Sequence, residues 1–261
     1  EIVGSAPALP IAPAPQPPAS PPPAGWQARA RVVTARAVTD LWSPGGGHAL
    51  AWLHARGLQD ETLQRWHIGY VPADRHEAAW RWGLPAGRAI YLPRGVLIPY
   101  EVESVTWGLK IRQLERPPRY IQVRVSQTAL YMAETIRGGL ICVTGGELDG
   151  LLLHQVLQQD THEPWSQAGV VTLGSASARL DGQRWGRWIQ GAERLVVMFD
   201  QDGRSEAGIR CWTGLMPQAV AVRWPGLRPG DKDLTDYYLT GGDLVAQVAG
   251  AATSVLPGSP P

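Results

Sequence analysis

Val143-Thr144-Gly145-Gly146-Glu147-Leu148-Asp149-Gly150 is the stretch on which the fold turns. The apolar run Leu140-Ile141-Cys142-Val143 leads into it, and Leu151-Leu152-Leu153 follows. Two carboxylates and two consecutive glycines therefore stand where a buried strand meets a buried helix. A buried charge is costly unless it is paired or bound to a cation, so the position requires a cause.

Working outward, apolar strands separated by helices begin at residue 138. The strand candidates are Leu140–Thr144, Val170–Leu173, Leu195–Phe199 and Ala219–Arg223. The helix candidates are Gly150–Gln159, Ala178–Gln190, Ser205–Met216 and Leu234–Leu239. Such alternation implies a mostly parallel α/β sheet, and open parallel sheets bind ligands at the carboxyl ends of their strands. Three acidic clusters fall at such ends: Glu147 with Asp149, Asp200 with Asp202, and Asp231, Asp233 and Asp236. Carboxylates brought together there repel one another unless a hard cation neutralises them. Mg²⁺, with its demand for oxygen ligands, suits the set, and two-metal clamping of a phosphoryl displacement is the chemistry most often built this way. Each cluster alone has a bland explanation, since acids at a helix start complement its macrodipole and Asp-x-Asp-Gly is a common turn.

Upstream, residues 46–70 read as a helical unit: His48 to Arg56 is a helix stopped by Gly57, and a second helix starts with Asp60 as its N-cap. Residues 89–123 carry β-branched residues in alternation and imply an antiparallel hairpin or meander. Residues 6–24 are rich in proline and alanine and read as a semi-extended linker. The expected organisation is a disordered linker over 1–45, a small mixed α+β subdomain over 46–136, a mostly parallel sheet flanked by helices over 137–248, and a flexible tail over 249–261. The chain opens on Glu1, so a fragment or processed product preceded by another module is expected.

A formal net charge of +1 excludes a global basic field, though not a local basic patch. No apolar run is long enough to span a bilayer, and no secretory signal is evident. The two cysteines, Cys142 and Cys211, support neither a zinc site nor a disulfide framework and fit a reducing cytoplasm. Trp80, Trp82, Trp185 and Trp188 are spaced for core packing, and the six histidines show no ligand spacing.

Thr144-Gly145-Gly146-Glu147-Leu148-Asp149, then Asp200-Gln201-Asp202, then Lys232-Asp233 resembles a TOPRIM domain. The wider chain resembles the catalytic core of bacterial- and phage-type DNA primases. The resemblance runs through Leu53-His54-Ala55-Arg56-Gly57-Leu58, Arg94-Gly95-Val96-Leu97-Ile98-Pro99, Gly108-Leu109-Lys110-Ile111-Arg112, Pro118-Arg119-Tyr120 and Leu173-Gly174-Ser175-Ala176. It covers roughly residues 46–245, with the motifs in order. It implies RNA primer synthesis on a single-stranded DNA template from NTPs, with Mg²⁺ or Mn²⁺ as cofactor. A replicative helicase, fused or recruited, belongs to the implied context, as does a phage or plasmid setting. Glu147, Asp149, Asp200 and Asp202 are the implied catalytic residues. Glu147, Asp200, Asp202 and Asp233 are the implied metal ligands. Lys110, Arg112, Arg119, Tyr120 and Ser175 would contact nucleic acid or nucleotide. Lys110 and Arg112, two apart on a strand, share one face, and Tyr120 can stack on a base or ribose.

One departure bears on activity. The family motif has a glutamate immediately before its glycine, and here Gly145 occupies that place. Either Glu147 takes over its role, or the domain is a degenerate, non-catalytic TOPRIM module that binds nucleic acid in a replication or mobile-element protein. A TOPRIM nuclease or topoisomerase part is a third reading, opposed by the primase-like residues 46–131. The family's zinc-binding residues are absent, and the Pro-rich segment is where such a module would attach.

Overall fold

The computed structural model describes residues 20–160, 165–200, 205–214, 216, 218–225 and 232–254. The first helix, α1 (Ala24–Leu41), lies inside the segment expected to be disordered linker. The last proline of that region is Pro23, and beyond it Trp26, Ala30, Val33, Ala37 and Leu41 recur every three or four residues and are all buried. That spacing puts them on one helical face. The Trp26 ring packs 5.4 Å from that of Trp82, and the Trp26 indole N–H donates to the Arg124 carbonyl at 3.0 Å. Arg29 clamps Glu77 with both carboxylate oxygens engaged, at 2.8 and 2.9 Å. Burial alone would raise the Glu77 carboxyl pKa; Arg29, Arg75 and the Trp82 indole N–H outweigh it and hold the group below its usual range.

Two short helices follow, α2 (Gly47–His54) and α3 (Asp60–Arg65). Gly57 closes the first at φ +83°, as its sequence position implied, and an added Cβ would sit 2.8 Å from the Tyr238 ring. The N-cap of α3 is Gln59; Asp60, expected in that role, is the first helical residue and pairs with His54 at 2.7 Å. The expected meander is present. Strands β1 (Gly69–Val71), β4 (Gly95–Val102), β5 (Val105–Arg112) and β6 (Tyr120–Gln122) form an antiparallel sheet in that order. A separate two-stranded piece joins β2 (Arg75–Glu77) to β3 (Ile90–Leu92). Trp82 and Trp185 are core residues, whereas Trp80, also expected in the core, is 70% exposed beside the Arg81 guanidinium.

The second half is the α/β unit. Strands β7 (Leu140–Thr144), β8 (Gly169–Val171), β9 (Arg194–Met198) and β10 (Ala219–Ala221) are all parallel, in the order β10-β9-β7-β8. Helices α4 (Glu147–Gln159), α5 (Gly182–Ile189), α6 (Ser205–Thr213), α7 (Leu234–Leu239) and α8 (Leu244–Thr253) complete it. The α5 start moves to Gly182 because Asp181 caps it, accepting from the amides of Gln183 and Arg184. The expected flexible tail shortens as well: α8 buries Leu244 and Val248 and runs on to Thr253. No helix among the described residues is long and apolar enough to cross a membrane.

The strand order places the site. The chain leaves β7 toward β8 on one side and later returns to β9 on the other, so strand order reverses between β7 and β9. Crevices at such switch points, beyond the carboxyl ends of the strands, are where open α/β sheets take ligands. Gly145 to Asp149 follow β7, and Asp200 follows β9.

Candidate active site

Three aspartates meet in that crevice. Asp149 stands in the first turn of α4, Asp200 just beyond β9, and Asp233 is the N-cap of α7, accepting from the Asp236 amide at 2.8 Å. One carboxylate oxygen from each lies within 4.8 Å of the others. The Thr235 hydroxyl donates to Asp149 at 2.5 Å, and the Lys232 ammonium stands 3.7 Å from Asp200. Burial pushes the Asp149 carboxyl up to about 7, and the neighbouring charges of Asp233 and Asp200 add to the effect. Asp233 is raised as well, by burial first and by Asp236 after the opposing amide bond. This is the signature of carboxylates crowded without a counter-ion. Oxygen donors at this spacing fit a hard divalent cation. Asp202, expected in the same cluster, lies outside the described residues.

Gly145 overlooks the three. A Cβ built on it would lie 3.3 Å from Asp200 Oδ1, so a longer side chain here would reach over the cluster.

Glu147 is placed differently from what its sequence position suggested. It is 1% exposed and lines the same cavity, but it is not among the three carboxylates that converge there. Its Oε1 accepts from the Lys110 ammonium at 2.6 Å and from the Tyr100 hydroxyl. Lys110 also donates to the Gly174 carbonyl at 2.6 Å. Gly174 has φ +74°, and a Cβ there would overlap the Tyr100 hydroxyl and come within 2.5 Å of Glu147 Oε1. Burial, then the Glu147 charge, raises the Tyr100 hydroxyl well above its ordinary pKa, so it stays a donor.

The facing wall is a stack of cations and rings. Lys110 Nζ lies 4.6 Å from the Tyr120 ring centre, and the Arg112 guanidinium covers the other ring contacts at 4.8 Å from Tyr120 and 5.3 Å from Trp52. Arg56 continues the stack at 5.1 Å from Trp52. Arg119 is exposed at the rim. Arg56, Arg112, Arg119, Tyr120 and Glu147 line, with the three aspartates, a cavity of about 480 Å³. Arg112, Arg119 and Tyr120 thus share the cavity of the acidic cluster, while Lys110 and Ser175 line an adjoining cavity of about 210 Å³ at Gly174. Arg56 and Trp52 were not foreseen as site residues. Their i, i+4 spacing in a helical segment was the available signal. A third cavity of about 380 Å³ holds His48, Tyr70 and Arg94, but its arginines already have partners, Arg94 in Glu115 at 3.3 Å and Arg116 in Asp74.

No family model matches the chain. The DNA primase of Deinococcus radiodurans is 27% identical over 234 residues, an alignment covering 76% of this chain; the chain spans 38% of the length of that curated relative. Among solved structures, the RNA polymerase domain of Mycobacterium tuberculosis primase DnaG superposes with a TM-score of 0.63 at 16% identity, over 86% of this chain and 82% of that one. A DnaG primase catalytic domain bound to single-stranded DNA gives the same TM-score and identity, over 86% of this chain and 77% of that one. The chain has the fold of the bacterial DNA primase catalytic core, with the TOPRIM-type parallel sheet as its second half.

Proposed function

We propose that this chain is a primase-type nucleotidyltransferase core that joins NTPs into RNA primers on single-stranded DNA, in the cytoplasm, with Mg²⁺ or Mn²⁺ as cofactor. The observation that carries this is the convergence of Asp149, Asp200 and Asp233 at the sheet's switch point, opposite a wall of arginines. The relative named a DNA primase and the fold shared with a DNA-bound primase domain support it. Asp149, Asp200 and Asp233, with Asp202, would hold the cation, which supplies charge neutralisation at the phosphoryl group. The chain's own residues do the rest. The guanidinium groups of Arg56, Arg112 and Arg119 attract phosphates, and the stacking holds the first two in place before substrate arrives, so little side-chain ordering remains to be spent on binding. The exposed part of Tyr120 offers a face for a base or ribose. The test is incorporation of labelled NTPs on single-stranded DNA with a Mg²⁺ or Mn²⁺ titration, using Asp200→Ala as control. Product that survives that substitution undiminished removes the metal-site assignment.

A second reading rests on Gly145. With glycine beside Asp200, the chain lacks one carboxylate of the family pattern. General acid–base assistance contributes ~10²–10⁴-fold in rate, so the module would bind DNA and synthesise poorly. Gly145→Glu then raises incorporation by a factor in that range; under the first reading it changes little.

A further inference from the structure

Glu147 lines the basin beside the three aspartates, but its Oε1 already serves a cation of the chain itself. Oε1 is taken by two donors, Lys110 and Tyr100. Oε2 is enclosed and has no hydrogen-bond partner among the described residues. The three groups come from different parts of the fold. Tyr100 lies on β4 and Lys110 on β5, both in the antiparallel sheet, whereas Glu147 opens α4 beside the parallel sheet. Gly174, whose carbonyl accepts a second hydrogen bond from the Lys110 ammonium, follows β8. The ammonium is thereby bound by Glu147, by Gly174 and by the face of Tyr120. Its side chain is 16% exposed, against 1% for that of Glu147.

We propose that Glu147 is a positioning residue and not a metal ligand: with Lys110, Tyr100 and Gly174 it forms a buried latch between the two sheets that sets the cationic wall at its distance from the three aspartates. The inference rests on the metal-dependent reading above for the meaning of that distance, but the latch itself is a matter of geometry. Lys110 and Arg112 both stand against the Tyr120 ring, and Arg112 shares Trp52 with Arg56. Releasing Glu147 therefore loosens the whole wall while leaving Asp149, Asp200 and Asp233 where they are. A displacement of about 1 Å at such a wall can cost ~10²-fold in rate.

Glu147→Gln, Lys110→Met and the double variant separate the possibilities, read by Mn²⁺ binding in electron paramagnetic resonance, by thermal unfolding, and by the KM for NTP in the incorporation assay. Breaking one partner of a buried ion pair is strongly destabilising, so each single variant is expected to lower Tm by roughly 10 °C. The double variant, with no uncompensated charge, recovers at least half of that loss. Mn²⁺ affinity stays within about twofold of the parent chain in all three, whereas the KM for NTP rises roughly tenfold and remains raised in the double variant although its Tm has recovered. That last result distinguishes positioning from bulk stability. If Glu147→Gln is too unstable to purify, the double variant alone carries the three readouts. Loss of Mn²⁺ binding by tenfold or more in the double variant makes Glu147 a ligand and overturns the proposal, as does a double variant no more stable than Lys110→Met. Asp149→Asn serves as the separate control: unchanged Mn²⁺ binding there removes the metal site and leaves the latch standing.

Discussion

At Asp149 the physical chemistry of the crevice is concentrated in one carboxyl group. Its folded-state pKa of about 7 lies above the ordinary value of 3.8, so between those values the folded chain binds more protons than the unfolded chain. Stability therefore falls as pH rises from about 4 to about 7 when no divalent cation is present. Added Mg²⁺ binds the ionised cluster and reverses the loss. Thermal melts are expected to show little Mg²⁺-dependent rise in Tm at pH 5 and a rise of several degrees at pH 8. Equal rises at both pH values would mean that the cation binds elsewhere. Asp149→Asn removes the crowded charge while keeping an oxygen for the Thr235 hydroxyl, at 2.5 Å in the parent chain. The variant should be more stable than the parent in EDTA at pH 8, by about 1–2 kcal/mol for the charge relief, and should gain nothing from Mg²⁺.

The secondary-structure elements show which sequence patterns carry across the chain and which mislead. The parallel strands were legible because strands buried on both faces read as uninterrupted apolar runs; β7 has the bounds Leu140–Thr144 that its sequence implied. Helix α1 was hidden by composition. Two of its five stripe residues are alanines, Ala30 and Ala37, and they continue the alanine-rich character of the proline segment before them. Its contribution can be measured at Trp26, fully buried against Trp82. Trp26→Ala is expected to cost about 3–5 kcal/mol in urea unfolding, an effect that no residue of a disordered linker could produce. The α2 segment has its own test. Trp52 contacts two guanidinium groups, each worth ~0.5–1 kcal/mol at a partly exposed site. Trp52→Leu should weaken single-stranded DNA binding by roughly three- to tenfold with Tm nearly unchanged, as read by fluorescence anisotropy.

For the whole molecule, the arrangement of charge matters more than its sum. A net charge of +1 conceals a cleft with arginines on one wall and aspartates at its base. If Arg56, Arg112 and Arg119 each neutralise one phosphate, single-strand affinity should fall with salt at a log–log slope of about −2; a slope near zero would mean that the wall does not meet the backbone. The sequence by itself determined the strand–helix alternation, the strand ends that carry the acids, and the motif order, because these are local patterns of burial and spacing. Only the tertiary structure decided what those acids do. Glu147 and Asp149 are two residues apart and face different partners, one locked to Lys110 and Tyr100, the other joined to Asp200 and Asp233. The partners of Glu147 lie 37 and 47 residues away along the chain, so the choice is made when the antiparallel sheet closes over the parallel one, a contact that no local pattern encodes.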